Sequence, residues 1–123
     1  MPPQARHIRL ELAREPGHPQ GDAHTGYDIV AFLDADSRLD LETCRAEGAR
    51  CRVRRFAGDE TIAIGRLRHT TGDRWIFDFD GEDREDATGF HLGDERFVPG
   101  EYVSVAAADG VSHTYCVERV ADA

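Results

Sequence analysis

Histidine and cysteine side chains are the first candidates for chemistry, because the chain holds six His and three Cys. His113 and Cys116 are three residues apart on a predicted strand, and this odd spacing places them on opposite faces of the strand. Cys44 and Cys51 are seven residues apart, on a predicted helix and a predicted strand, unlike the short-spaced ligand pairs of zinc sites. Neither pair predicts a metal site.

Three further side chains of metal-binding type lie in residues 14–26, a segment with two Pro and three Gly that we predict to be a long loop. They are His18, Asp22 and His24. Because the spacings common in metal sites are missing, we expect no bound metal and keep these three only as candidates. Long loops are often functional or mobile, and we expect this one to be more mobile than the strands.

The acidic run from Asp78 to Asp86 invites comparison with a calcium-binding loop. With Asp78 at position 1 of an EF-hand loop, Gly81 falls at position 4 instead of 6, and Gly89 stands where position 12 requires Glu. We interpret the run as a solvated stretch of charge.

Signatures of nucleophilic catalysis and phosphate binding are missing from the sequence. There is no Gly-x-Ser-x-Gly elbow and no dinucleotide-binding glycine pattern, and a P-loop needs the lysine that this chain lacks. Ser104 and His113 are predicted to share one face of the last hairpin, but no carboxylate is placed to orient the histidine. We therefore expect no cofactor and favour a non-enzymatic function.

The distribution of arginine is the most informative feature. Residues 45–74 hold eight Arg and four acidic residues, whereas residues 75–101 hold two Arg and nine acidic residues. Arg50, Arg52 and Arg54 alternate along one predicted strand and so share a face, which makes them the candidate anion-binding residues. The alternative is that basic and acidic segments form neighbouring strands whose charges pair across the sheet.

Net charge and terminal sequence restrict the partners and the compartment. The formal net charge is −9, which favours solubility and opposes non-specific binding to nucleic acid or to an anionic membrane. The sequence shows no signal peptide and no run of about 20 apolar residues. An odd, low number of cysteines in a sequence without an export signal predicts that the thiols are reduced. We expect a soluble cytoplasmic protein that does not bind membranes. We also do not expect it to bind nucleic acid.

Hydrophobic periodicity predicts a mostly β fold: a small barrel or sandwich of about seven antiparallel strands with one short helix, in a single domain spanning residues 1–123. The helix is predicted over residues 39–47 with Asp40 as its N-cap. The predicted strands include Ile8, Leu10 and Leu12 of the first and residues 27–33, 51–56, 61–68, 75–79, 90–92, 102–107 and 112–120.

Turn chemistry predicts two local geometries. Pro99 and Gly100 suit the central positions of a type II turn. Asp109 and Gly110 suit a two-residue type I′ turn, which would place Val103 opposite Cys116 and Ser104 opposite Tyr115.

The strands over residues 61–68 and 75–79 are predicted to pair through a three-residue turn. In that register Arg66 lies opposite Asp78, and Leu67 lies opposite Phe77 in the core. Gly65 then lies beneath an aromatic ring, and the bulge that the apolar pattern demands is predicted at this glycine.

Several segments resemble short bacterial proteins, mainly alphaproteobacterial, that have no assigned activity. The likeness is carried by FHLGDERFVPGEYVSV (residues 90–105), HTYCV (113–117), HIRLELAR (7–14) and CRVRRF (51–56). The resemblance transfers no catalytic residue, and it implies that the chain is one complete domain.

The function hypothesis that follows is a non-enzymatic β-barrel module for binding or interaction, with a protein as the expected partner. One alternative is a small enzyme with its site at the barrel mouth or in the loop over residues 14–26. A second alternative is RNA or anion binding through Arg50, Arg52 and Arg54. The oligomeric state is left open.

Overall fold

The strands form a closed barrel in which each strand pairs with its neighbours in sequence and the first pairs with the last. The computed structural model describes residues 3–13, 21–69, 74–80, 87–90, 92, 95–106 and 111–123. Within these residues the predicted fold class, mostly β with one short helix, is confirmed. The eight strands are β1 (Gln4–Leu12), β2 (Asp22–Leu33), β3 (Arg52–Ala57), β4 (Glu60–His69), β5 (Arg74–Phe79), β6 (Ala87–Phe90), β7 (Tyr102–Ala106) and β8 (Ser112–Asp122).

Alternating apolar side chains fill the barrel. Because successive strand residues point to opposite faces, alternate residues of β1, β2, β5, β7 and β8 enter a single apolar cluster, to which β3 and β4 add Val53 and Leu67. An eight-stranded barrel has an interior just wide enough to be filled in this way. The predicted core residues are all buried: Ile8, Leu10, Trp75, Phe77, Phe79, Val103 and Val105.

The short helix α1 (Leu41–Ala46) packs against β2 and β4 at one end of the barrel. Asp40 is its N-cap, as predicted, and its carboxylate accepts hydrogen bonds from the backbone N–H and the hydroxyl of Thr43. A 3-10 helix (Gly48–Arg50) follows directly. Together these two segments carry the chain from β2 to β3.

Two predicted boundaries are wrong. The predicted loop over residues 14–26 is too long, because β2 already begins at Asp22 and pairs with β1. The strand predicted over residues 90–92 lies earlier, at Ala87–Phe90, and Leu92 is a buried residue outside it. In both places polar residues continue or begin a strand, which hydrophobic periodicity does not reveal.

The predicted register between β4 and β5 is confirmed. Arg66 lies opposite Asp78, Leu67 opposite Phe77, and Gly65 opposite Phe79. The bulge is not at Gly65 but at Ile62, the extra residue in the pairing between β3 and β4. Gly65 is needed for another reason: a Cβ there would lie 2.0 Å from the carbonyl oxygen of Asp78.

The predicted register of the last hairpin is wrong by one residue. Val103 lies opposite Tyr115, and Cys116 lies opposite Tyr102. A shift of one residue exchanges the two faces of a strand, and the observed register buries Tyr115 and Val117. The burial of these two apolar side chains outweighs the turn preference of Asp109–Gly110, which lies outside the described residues.

The turn before β7 has the predicted type II geometry. Glu101 N donates to the carbonyl oxygen of Val98 at 3.0 Å, and Gly100 has a φ of 96° at the third position.

The helices in the described part of the chain are too short or too polar to cross a membrane.

Candidate anion-binding face

Two rows of polar side chains cross the outer surface of the barrel. Each row follows directly paired residues on neighbouring strands, so its members lie side by side. The first row is Arg9, Asp28, Arg54 and Ile64, from β1 to β4. The second row is His7, Val30, Arg52, Arg66 and Asp78, from β1 to β5. We call the part of this surface that carries Arg50, Arg52, Arg54 and Arg66 the arginine face.

The first row is electrically compensated around Asp28. The Asp28 carboxylate accepts from Arg54 at 2.7 Å, lies 3.1 Å from Nε2 of His7, and lies 3.8 Å from a guanidinium nitrogen of Arg9. Arg54 also donates to the hydroxyl of Thr61 at 2.6 Å. Asp28 is only 11% exposed, so these partners hold a largely buried charge. The positive charges of this row therefore stabilise the buried carboxylate of Asp28.

The second row is not compensated in the same way. Arg52 lies directly opposite Arg66, and like charges in that position repel. Within the described residues neither guanidinium has a carboxylate within 4.0 Å; Arg52 donates only to the carbonyl oxygen of Ala49, at 3.3 Å. The two exposed side chains therefore present two adjacent positive charges to solvent.

Arg50 does not share the strand with Arg52 and Arg54. It ends the 3-10 helix, and its guanidinium lies 5.0 Å from the ring centre of Phe32. Arg50 and Arg52 nevertheless line the same groove on the outer surface. The structure thus brings the three predicted residues to one face, with Arg50 reaching it from the helical segment.

Two connected grooves lie along the arginine face. One has a volume of about 490 Å³, and its lining includes three arginines, two carboxylates and two apolar side chains: Arg52, Arg54, Arg66, Asp28, Asp80, Val30 and Ile64. The other, of about 540 Å³, shares Val30 and Arg52 with it and extends to Arg50. Ile64 is 56% exposed and lies on the groove surface. The arginine face therefore combines guanidinium groups with apolar side chains, and carboxylates also line its grooves: Asp28 and Asp80 in the first and Asp122 in the second.

Phe56 is buried on the outer surface rather than in the barrel core. The guanidinium of Arg9 lies 4.1 Å from its ring centre and that of Arg54 lies 5.6 Å away. These cation–π contacts cover the ring, which is 1% exposed. The aromatic rings near the arginine face, Phe32 and Phe56, are thus already occupied by protein groups.

The other predicted site residues are not brought together. Asp22 accepts from the backbone N–H of His24 and the hydroxyl of Thr25, at the start of β2. His18 lies outside the described residues, and the described residues hold no group of three potential metal ligands. Ser104 and His113 point to opposite faces, so the prediction that they share one face is wrong, because the register of the hairpin is shifted by one residue.

Sequence reasoning missed Arg66 and Asp28 as members of this surface. Both are reached only through pairings between strands, such as Arg52 with Arg66 and Asp28 with Arg54. Strand parity alone places Arg66 on the outer face, but it does not say which strand lies beside it.

Comparison with known proteins gives no relative from which a function can be carried over. No protein-family model matches the chain, and neither curated proteins nor solved structures include a match to it.

Proposed function

We propose that this chain is a non-enzymatic β-barrel module that binds an acidic segment of a protein partner on the arginine face. The observation that carries the proposal is the uncompensated pair Arg52 and Arg66. Two guanidinium groups side by side weaken the sheet, and a carboxylate between them removes the repulsion and gains charge-assisted hydrogen bonds.

The barrel itself supports a surface site. Its interior is filled with apolar side chains, so the described part of the chain leaves no ligand cavity at the barrel centre. The grooves along the arginine face are open and extended, which suits a length of polypeptide. Exposed Ile64 and half-buried Val30 offer apolar contacts to its side chains.

A protein partner is favoured over nucleic acid for two reasons. Single-stranded nucleic acid binds by stacking its bases on aromatic rings, and Phe32 and Phe56 are buried here beneath guanidinium groups. The net charge of −9 also repels a polyanion at long range, whereas a short acidic segment meets only the local field. We expect no retention on heparin and no RNA mobility shift at physiological salt.

The test is fluorescence anisotropy with a labelled peptide of alternating Glu and Leu. The double variant Arg52→Gln/Arg66→Gln should weaken binding by roughly tenfold or more, the effect of losing charge-assisted contacts. The matched control is Arg38→Gln/Arg119→Gln, which removes the same charge at two exposed positions away from the grooves. A peptide of alternating Lys and Leu should not bind.

Three outcomes would overturn the proposal. The first is equal loss of affinity in the control double variant, and the second is no binding of the acidic peptide to the wild-type protein. The third is micromolar RNA binding that falls steeply with salt and is lost in an Arg50/Arg52/Arg54→Ala triple variant, which would assign the face to nucleic acid.

A further inference from the structure

A second cavity, of about 310 Å³, lies at the barrel end that carries α1. It opens between α1 with the 3-10 helix and the paired ends of β4 and β5. Its lining includes Arg45, Arg66, Leu67, His69 and Trp75. We call it the mouth pocket. Its size is at the lower end of the range for small-molecule sites in proteins.

His69 carries an unmatched polar atom in this pocket. It is the last residue of β4 and lies opposite Trp75, whose ring meets the imidazole edge-to-face with centres 5.0 Å apart. Nδ1 of His69 is buried and has no hydrogen-bond partner among the described residues. Buried polar atoms of native proteins nearly always pair with protein or with ordered water, so this nitrogen is available to a polar atom that enters the pocket.

The charges around the pocket indicate the chemistry of that ligand. Arg68 is held by Asp78, with Nε 2.8 Å from the carboxylate. Arg45 and Arg66 have no carboxylate within 4.0 Å among the described residues. Guanidinium groups of this kind recognise carboxylate and phosphate oxygens. The rim of the pocket therefore carries two guanidinium groups that are not paired with a carboxylate in the described part of the chain.

The floor of the pocket is apolar. Leu67 and Trp75 are each 2% exposed and face the barrel interior. A ligand that reaches Nδ1 of His69 must lie against these side chains, so part of it must be apolar. An inorganic ion would use the rim and leave the floor uncovered.

We propose that the mouth pocket binds a small organic anion: a carboxylate or phosphate group on a compact apolar or aromatic frame. The charged group lies between Arg45 and Arg66, one of its oxygens accepts a hydrogen bond from Nδ1–H of His69, and the frame lies against Trp75. This site is separate from the acidic-peptide site, although Arg66 lines both.

Trp75 reports on the pocket directly, because it is the only tryptophan in the chain. We would follow its fluorescence during titration with phenyl phosphate, benzoate, inorganic phosphate and uncharged phenol. We expect a saturable change with phenyl phosphate or benzoate, and the better of the two identifies the anionic group. Inorganic phosphate and phenol should each bind at least about tenfold more weakly than the better organic anion, because phosphate lacks the apolar frame and phenol lacks the charged group.

Two variants test the assigned roles. Arg45→Gln removes an exposed charge, and His69→Phe keeps a ring against Trp75 but removes Nδ1. Each should weaken binding of the organic anion by about tenfold, whereas Arg119→Gln should not change it. Neither Arg45 nor His69 lines the arginine face, so both variants should still bind the acidic peptide.

The proposal fails if no organic anion gives a saturable signal at millimolar concentration, or if phenol matches phenyl phosphate. It also fails if both variants, shown to be folded by circular dichroism, bind as tightly as the wild-type protein. If inorganic phosphate binds as tightly as the organic anions, the pocket is only an ion site, and the proposed role of the apolar frame is wrong.

Discussion

Arg66 lies directly opposite Asp78 in the ladder between β4 and β5, yet the Asp78 carboxylate pairs with Arg68, whose Nε lies 2.8 Å away. The ion pair is diagonal, and it leaves Arg66 facing Arg52 on its other side. One acidic residue thus neutralises one of two nearby arginines. The difference between paired and unpaired arginines separates the charges that hold the barrel together from those that are available for binding.

Replacing Asp28 and replacing Arg66 should have opposite effects on stability. Asp28→Asn removes the partner of Arg54 and His7 in a largely buried position, and should lower the free energy of unfolding by about 1–3 kcal/mol. Arg66→Gln relieves a like-charge contact and should leave stability unchanged or raise it by a few tenths of a kcal/mol. Urea unfolding measures both. A large loss in Arg66→Gln would show that Arg66 supports the fold.

Gly65 should not tolerate a side chain. A Cβ at this position would lie 2.0 Å from the carbonyl oxygen of Asp78, so Gly65→Ala must push β4 and β5 apart. We expect a cost of about 1–3 kcal/mol in thermal or urea unfolding. Gly48→Ala is the matched control, because no heavy atom lies within 4 Å of its Cβ. Similar stabilities of the two variants would contradict the close approach of the strands.

Tyr27 should make the barrel sensitive to alkaline pH. Burial raises the pKa of its phenol, while the positive charge of Arg55 and a hydrogen bond with Tyr115 act against that rise. The folded chain therefore holds this proton more tightly than the unfolded chain. The protonated phenol of Tyr27 therefore stabilises the folded barrel. This stabilisation is fully present below the ordinary tyrosine pKa of about 10, and it is lost as the pH rises from that value through the raised pKa of the folded chain.

The Tyr27→Phe variant tests this dependence. It should lose less stability than the wild-type protein when urea unfolding is compared at about pH 9 and about pH 11. Tyr102→Phe is the control, since Tyr102 is 60% exposed, and it should follow the wild-type curve. If Tyr27→Phe also follows that curve, another group causes the alkaline loss.

The three thiols should react with iodoacetamide in two classes. Cys44, in α1, and Cys51, after the 3-10 helix, are both buried. The Cys44 thiol donates to the carbonyl oxygen of Phe32, and the Cys51 thiol donates to the carbonyl oxygen of Cys44. Cys116 is half-buried, and burial raises its pKa, so even this thiol should react slowly near neutral pH. Mass spectrometry should count one label in the native protein and three in urea. Rapid native labelling of Cys44 would mean that α1 opens.

The sequence predicts most of the core residues and two of the strand pairs, but it predicts the register of only one of those pairs. The register between β4 and β5 could be predicted because Leu67 and Phe77 must both enter the core. In the last hairpin the turn preference of Asp109–Gly110 and the burial of Tyr115 and Val117 predict different registers, and the structure has the one that buries these two side chains. Where apolar side chains and turn residues disagree, the larger burial energy decides.

The candidate site follows the same division. Parity places Arg52 and Arg54 on one outer face, but the neighbour of each arginine depends on which strands pair and in which register. The link between β2 and β3 contains two helical segments, so no tight turn in the sequence fixes that pairing. Asp28 and Arg66 could therefore be assigned to the site only from the structure.

The closed ring of strands has a consequence for the order of folding. Seven of the eight pairings join strands that follow one another in the chain, but the pairing of β1 with β8 joins residues as distant as Arg6 and Asp122. Closing so large a loop costs more chain entropy than forming a hairpin, so we infer that this pairing forms last. Until then β1 and β8 are both open edges that can pair with another copy of the chain. Refolding yield should therefore fall as protein concentration rises, and a yield independent of concentration would contradict late closure.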